Sequence, residues 1–221
     1  MDDLRTARTT VHRVPARGVY DRAAIDAILD AAPVCHVGVV VDGQPYVMPA
    51  IHARVGDELV LHGSSASRLF RHLRSGAPAC ATATVVDGLV LARSAFHSSM
   101  NYRSAVVLGV AREVAQRAPK LAALEAISEH VLPGRWTDVR PPSDAELRAT
   151  TVVSIRVDEA SAKVRTGPPA DDDADLELPV WAGVVPLELV AQPPEPDPGR
   201  VRDEPVPPYA RRPPAAYLGR R

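Results

Sequence analysis

Apolar and polar residues alternate with two different periods along the chain, and the switches between periods mark its elements. Ile25, Ile28 and Leu29 recur at helical spacing behind Asp21, a side chain that accepts hydrogen bonds from the free amides of a first turn; Pro33 ends the run, so a helix is predicted over 22–32. The chain then turns β-rich. CHVGVVV (35–41), QPYVMPAIHARV (44–55) and residues 58–62 read as strands joined by Asp42-Gly43 and Gly56-Asp57, pairs that suit tight hairpins. Pro49 has no N–H for a ladder, so its strand must be at an edge or bulged there. Helical spacing returns over 64–75 with Leu69, Phe70 and Leu73. Two strands, 78–86 and 89–92, are expected around Asp87-Gly88, then a long strand over 102–114 and a helix over 119–131. A loop with Trp136 leads to a short helix over 144–148 capped by Ser143. A last strong strand covers 150–157, with an extension over 160–165.

Six or seven short strands with tight connections pair antiparallel. They do not alternate with helices, which argues against a doubly wound nucleotide fold, and no GxGxxG or Walker sequence is present. The pattern predicts a mainly β architecture: a closed or partly closed antiparallel barrel with peripheral helices. It divides the chain into an arginine-rich lead-in (1–19), a core domain (20–190) and a tail (191–221) that holds nine of the 22 prolines and is expected to be extended or disordered.

Composition narrows the classes. The formal net charge of −1 argues against a whole-surface grip on nucleic acid or anionic membrane. Two cysteines, Cys35 and Cys80, are too few for a disulfide framework and are expected to be reduced and buried. No apolar run approaches the roughly 20 residues that span a bilayer, and MDDLRTARTT has no apolar signal core, so a cytoplasmic location is expected.

Chemistry-bearing residues gather in three stretches. In LVLHGSSASRLFRHL (59–73) a strand delivers His62 and Gly63 to a helix start with Ser64, Ser65, Ser67 and Arg68; amides, hydroxyls and a guanidinium together suit a phosphate, although the same serines serve equally as caps. In FHSSMNYRSAVVLGVAREV (96–114), His97, Asn101, Tyr102 and Arg103 cluster at a strand start, and Asn101 offers both the donor and the acceptor that a heterocycle's edge needs. In LPVWAGVVPL (178–187), Trp181 is expected to fill the core or an interface, or to stack on an aromatic ligand. His36 and His52 alternate with apolar residues on strands, whereas His72 and His130 are expected on helix surfaces. No HEXXH or GxSxG motif occurs, so neither a zinc site nor a hydrolase triad has an anchor, and no metal ligand is expected.

The motifs DGQPYVMPAIHARVGDELVLHGSSASR, DGLVLARSAFHSSMNYRSAVVLGVA, PGRW and ASAKVRTGPPADDDADLELPVWAGVVPL occur in an order and spacing that resembles the pyridoxamine-phosphate-oxidase-like flavoproteins, within them the nitroimidazole-resistance (Nim-type) branch, over about 20–189. The resemblance implies an antiparallel, Greek-key FMN-binding split barrel. It also implies a homodimer with the flavin at the interface, and a flavin-dependent oxidoreductase acting on a small acceptor such as a nitro-aromatic. Carried over by position, the backbone of Val47, Met48, Pro49 and Ala50 lies along the isoalloxazine ring. His62, Gly63 and Ser64 meet the flavin, with His62 the candidate catalytic residue. Ser67 and Arg68 hold the FMN phosphate, Asn101, Tyr102 and Arg103 face the ring or phosphate, and Lys163 and Trp181 complete the site. Haem, with His62 or His97 as ligand, and a deazaflavin are the alternative cofactors, and non-catalytic flavin binding is an alternative function. The C-terminal RxW-type motif of true pyridoxamine phosphate oxidases is absent, which argues against pyridoxal phosphate synthesis.

Overall fold

The computed structural model describes residues 3–199 and 204–211. After a two-residue strand β1 (Gly18–Val19), helix α1 (Arg22–Ala31) begins where Asp21 accepts a hydrogen bond from the Ala24 amide at 3.1 Å, and it buries Ile25, Ile28 and Leu29. β2 (Val34–Val41) and β3 (Gln44–Val55) form a hairpin whose turn residues Asp42 and Gly43 both have positive φ, 51° and 78°, as an Asp-Gly turn provides. β4 (Glu58–Ser64) pairs with the second half of β3 and leads into a short helix, α2 (Arg68–Leu73). Then come β5 (Pro78–Leu91), β6 (Ser99–Val110) and β7 (Arg112–Glu113). A helical insert, α3 (Arg117–Val131), α4 (Arg135–Asp138) and α5 (Asp144–Ala149), precedes β8 (Thr150–Arg156) and β9 (Ala160–Arg165). β10 (Gly183–Pro186) and α6 (Pro208–Arg211) follow.

The ten strands make one antiparallel sheet in the order β1-β9-β6-β5-β2-β3-β4-β8-β7, with β10 added to β5. It does not close, but it curls around one apolar core, into which strands β2, β4, β5, β6, β8 and β9 and helices α1 and α2 send Val37, Leu61, Ala81, Val107, Ile155, Ala162, Leu29 and Leu73. This is the expected split barrel. β3 joins its two halves: Gln44–Ile51 pair with β2, and His52–Val55 with β4. Over its first half only one edge of β3 is paired, so Pro49 withholds no hydrogen bond from the free edge.

Several expectations are corrected. Asp87-Gly88 is not a turn: neither residue has positive φ, and β5 runs through both with a bulge between Val86 and Gly88. The Asp87 carboxylate accepts two hydrogen bonds from Arg103 at 2.7 and 3.0 Å, and Gly88 pairs with both Asn101 and Pro186; these tertiary partners keep the segment extended. The strand expected over 102–114 begins at Ser99 and breaks at the buried Ala111, beyond which β7 pairs with β8. Cys35 is fully buried, which pushes its thiol up to about 12, but Cys80 is only half-buried. His130 does not sit on a free helix surface. Its Nε2 lies 3.0 Å from the Ala32 carbonyl, and its ring packs at a tilt, centroid to centroid 5.0 Å, against the fully buried His52, whose own Nε2 lies 2.9 Å from the Leu29 carbonyl. The expected tail lies partly outside the described residues; within them, 191–199 are exposed and Pro208–Arg211 form a helical turn.

Candidate cofactor site

Alternation along β4 places its side chains in two environments. Leu59 and Leu61 enter the barrel core, while Val60 and His62 project from the opposite face, where α3 lies. A second, smaller core forms there from Ala53, Val60 and Val152 on the sheet and Ala123 and Ile127 on α3. Beyond it a cavity of about 690 Å3 opens. Ile51, His62 and Thr150 line it from the strands, Leu124, Ile127 and Val131 from α3, and Arg135, Trp136 and Arg140 from the segment after α3. Its exposed lining is largely apolar, and His62 is its one imidazole.

The wall opposite the sheet is tied down by two carboxylates. Glu129, on α3, accepts hydrogen bonds from the Gly134 amide at 2.6 Å and the Trp136 amide at 2.9 Å. Glu146 accepts from Arg140 at 2.6 and 2.8 Å and completes a reciprocal cap with Ser143. The Arg140 hydrogen bonds, followed by those from Ser143, hold the Glu146 carboxyl well below the usual carboxylate range. Sequence reasoning missed this wall as part of the site. Its one signal is PGRW (133–136), where Gly134 takes the left-handed conformation, φ 89°, that starts α4.

His62 is half-buried, and burial lowers its pKa from the ordinary histidine value. Its Nδ1 is buried without a hydrogen-bond partner. The side chain is therefore a neutral imidazole at neutral pH, the form that ligates metals or accepts a proton. A residue farther along, Gly63 is required by packing: a Cβ there would lie 2.2 Å from the Phe70 ring of α2. Ser64 caps the turn by accepting from the Ala66 amide at 3.2 Å. Ser67 has N-cap position on α2 but makes no side-chain capping bond, and the exposed Arg68 guanidinium stacks 5.0 Å over the Tyr46 ring. Among the described residues Arg68 has no carboxylate partner, so its charge is available to an anion.

The profile of the Pyridoxamine 5'-phosphate oxidase family matches residues 21–164. The chain belongs to this family. Among solved structures it is similar to the flavocytochrome Anf3 from Azotobacter vinelandii, at 43% identity over 93% of this chain and 95% of that one, with a TM-score of 0.87. It is similar also to the FAD and heme binding protein from Mycobacterium smegmatis, at 37% identity over 92% and 98%, TM-score 0.84. A candidate 5-nitroimidazole antibiotic resistance protein from Bacteroides thetaiotaomicron is 27% identical over 66% and 86%, TM-score 0.56. No curated protein matches.

The other residues that the oxidase family resemblance points to lie apart from the His62 cavity. On β3, Met48 and Ala50 pack toward the barrel core, while Val47 and Pro49 are exposed on the outer face. Asn101 and Arg103 line a second cavity of about 650 Å3 with Asp87 and Asp30. Both ends of the Asn101 amide are taken there: its Oδ1 accepts from Arg165, and its Nδ2 donates to the Gly167 carbonyl at 3.1 Å. Tyr102 pairs with Val86 and Arg165 in the ladder, and Lys163 with Ser104 and Gly18. Trp181 is exposed and covers Gly183, where a Cβ would stand 2.9 Å from its ring. His97 Nε2 is 3.1 Å from the Asp172 carboxylate, away from both cavities. No helix among the described residues is long and apolar enough to cross a membrane, and no group of three or more His, Cys, Asp and Glu converges there.

Proposed function

We propose that this protein is a flavin-dependent oxidoreductase that also carries a haem, which the His62 imidazole would hold in the cavity beneath α3. The carrying observation is that cavity: about 690 Å3, within the roughly 300–1,000 Å3 of cofactor pockets, apolar in its walls and furnished with one neutral imidazole. A tetrapyrrole needs an apolar slot, a nitrogen ligand and cations for its carboxylates. Leu124, Ile127 and Val131 supply the first, His62 the second, and Arg135 the third, whereas Arg140 is already paired with Glu146. Two relatives above 35% identity, a flavocytochrome and a FAD and heme binding protein, support the pairing of cofactors.

For the flavin, Arg68, which has no carboxylate partner among the described residues, and the free Ser67 hydroxyl suit a phosphate, and the unpaired edge of β3 from Val47 to Ala50 offers backbone to the ring. FMN is the form that ends at that phosphate; the mass of the flavin released on denaturation distinguishes it from FAD. A deazaflavin fits less well, because its more anionic tail needs cations beyond Arg68, and Arg103 is already paired with Asp87. When bound, these groups supply hydride and single-electron chemistry, and the chain supplies binding, orientation and exclusion of water. The acceptor we favour is a small oxidised molecule such as a nitro-aromatic. A second copy of the chain fits the outer face of β2 and β3, where Val34, Val40, Val47 and Ile51 are exposed, and would complete the flavin site.

The absorbance spectrum of the purified protein, with hemin and FMN added in turn, tests both halves. A flavin band together with a Soret band is expected. A flavin band that no hemin addition supplements would remove the haem, and the absence of both would sink the proposal.

A further inference from the structure

The cavity wall that carries Arg135 and Trp136 is held from outside by the far end of the chain. The segment from Val185 to Gly199 is exposed, yet Pro208–Arg211 return to the molecule as α6. The Tyr209 hydroxyl donates to Asp138 Oδ2 at 2.6 Å and accepts from Arg135 Nη1 at 3.2 Å, so it bridges both ends of α4. Its ring lies against Gly134, where a Cβ would stand 3.2 Å from the ring. The same glycine adopts φ 89°, so one residue both starts α4 and makes room for the phenol. From the inner side, Glu129 holds the Gly134 and Trp136 amides. A single four-residue turn has little stability of its own, and this one is gripped between a carboxylate of α3 and a phenol of the tail.

We propose that the C-terminal segment is a strap for the cavity and that Tyr209 is a positioning residue. It orients Arg135 and fixes the Trp136 turn, and so holds the wall against which a cofactor lies. The identity of that cofactor as haem rests on the function proposed above; the strapping does not.

The test uses the full-length chain carrying Trp181→Phe, which leaves Trp136 as its sole tryptophan. In cofactor-free protein, Tyr209→Ala should raise acrylamide quenching of Trp136, and Tyr209→Phe, which keeps the ring against Gly134, should raise it less. Circular dichroism of each variant should match the parent, because α6 adds nothing to the barrel. Hemin loaded into Tyr209→Ala should transfer to apomyoglobin about tenfold faster than from the parent, the scale of one charge-assisted hydrogen bond lost. Unchanged Trp136 quenching would overturn the strap. Raised quenching with unchanged hemin transfer would overturn the positioning of Arg135. Failure of the parent to take up hemin would count against the haem reading, and quenching alone would then decide the strap.

Discussion

At the scale of the residue, two imidazoles explain most of what is unusual about this chain. His62 and His52 both have pKa values lowered by burial, and each keeps an unpartnered, buried Nδ1. Their roles differ. His52 Nε2 is engaged with the Leu29 carbonyl and the ring with His130, so it is a tie between α1, β3 and α3; His62 faces a cavity. His62→Ala should abolish the Soret band of the hemin-loaded protein while leaving flavin binding intact; a Soret band of parental position and strength would place the ligand elsewhere. The pair also sets a pH dependence. In the unfolded chain each imidazole binds a proton below about pH 6.5, while the folded state resists it until lower pH. The unfolded state therefore holds more protons in that window, and stability present above about pH 6.5 is lost as the pH falls through it toward the lowered folded values. Urea unfolding of cofactor-free protein should show a midpoint that drops between pH 7 and about pH 5.5, and a flat midpoint would refute the assignment. Arg68→Ala should weaken flavin binding by about 1.5–3 kcal/mol, the worth of a hydrogen bond to a charged group, as read by fluorescence titration.

Elements decide how these residues are presented. β4 is short and was legible as a strand, but its three consecutive apolar residues gave no faces; the fold divides them, with Leu59 and Leu61 in the barrel core and Val60 and His62 toward α3. Its junction with α2 is set by Gly63 and Phe70. Gly63→Ala drives a methyl into a ring of the barrel core, so it should cost about 1–3 kcal/mol in urea unfolding and, by displacing α2, weaken flavin binding through Ser67 and Arg68. Parental stability and affinity in that variant would show that α2 shifts freely. β5 teaches the opposite lesson. Asp87-Gly88 has the composition of a hairpin turn, yet Arg103 across the ladder and β10 alongside convert it to a bulge in a continuous strand. A dipeptide's turn propensity is worth little against a bidentate ion pair and two neighbouring strands.

For the whole molecule, the open edge and exposed apolar face of β2 and β3 carry the proposal of a second subunit. Val47→Asp puts a charge in the middle of that face and should yield a monomer by light scattering that no longer retains flavin, with the hemin cavity unaffected. A flavin-loaded monomer would refute an interfacial site. Proline distribution marked residues 191–221 as unable to build a core, and residues 191–199 are indeed exposed; it gave no hint that Tyr209 reaches back to α4, since a lone tyrosine in a proline-rich stretch carries no periodic signal.

By itself the sequence determined the local elements and their order: the helix cap at Asp21, the Asp42-Gly43 hairpin, the β-rich stretches of β2 to β4 and the antiparallel, mainly β architecture. Those features depend on backbone dihedrals and on which face of an element is apolar, and both are written in neighbouring residues. Only the tertiary structure decided that the apolar stripe of α3 covers the sheet at Ala123 and Ile127, with Leu124 half-buried against them, while Val131 stays exposed and a cavity opens beside His62. A stripe of leucine, isoleucine and valine reads the same whether it meets a surface or spans a gap. The gap is a matter of the shapes of segments far apart in the chain, and no local pattern encodes it.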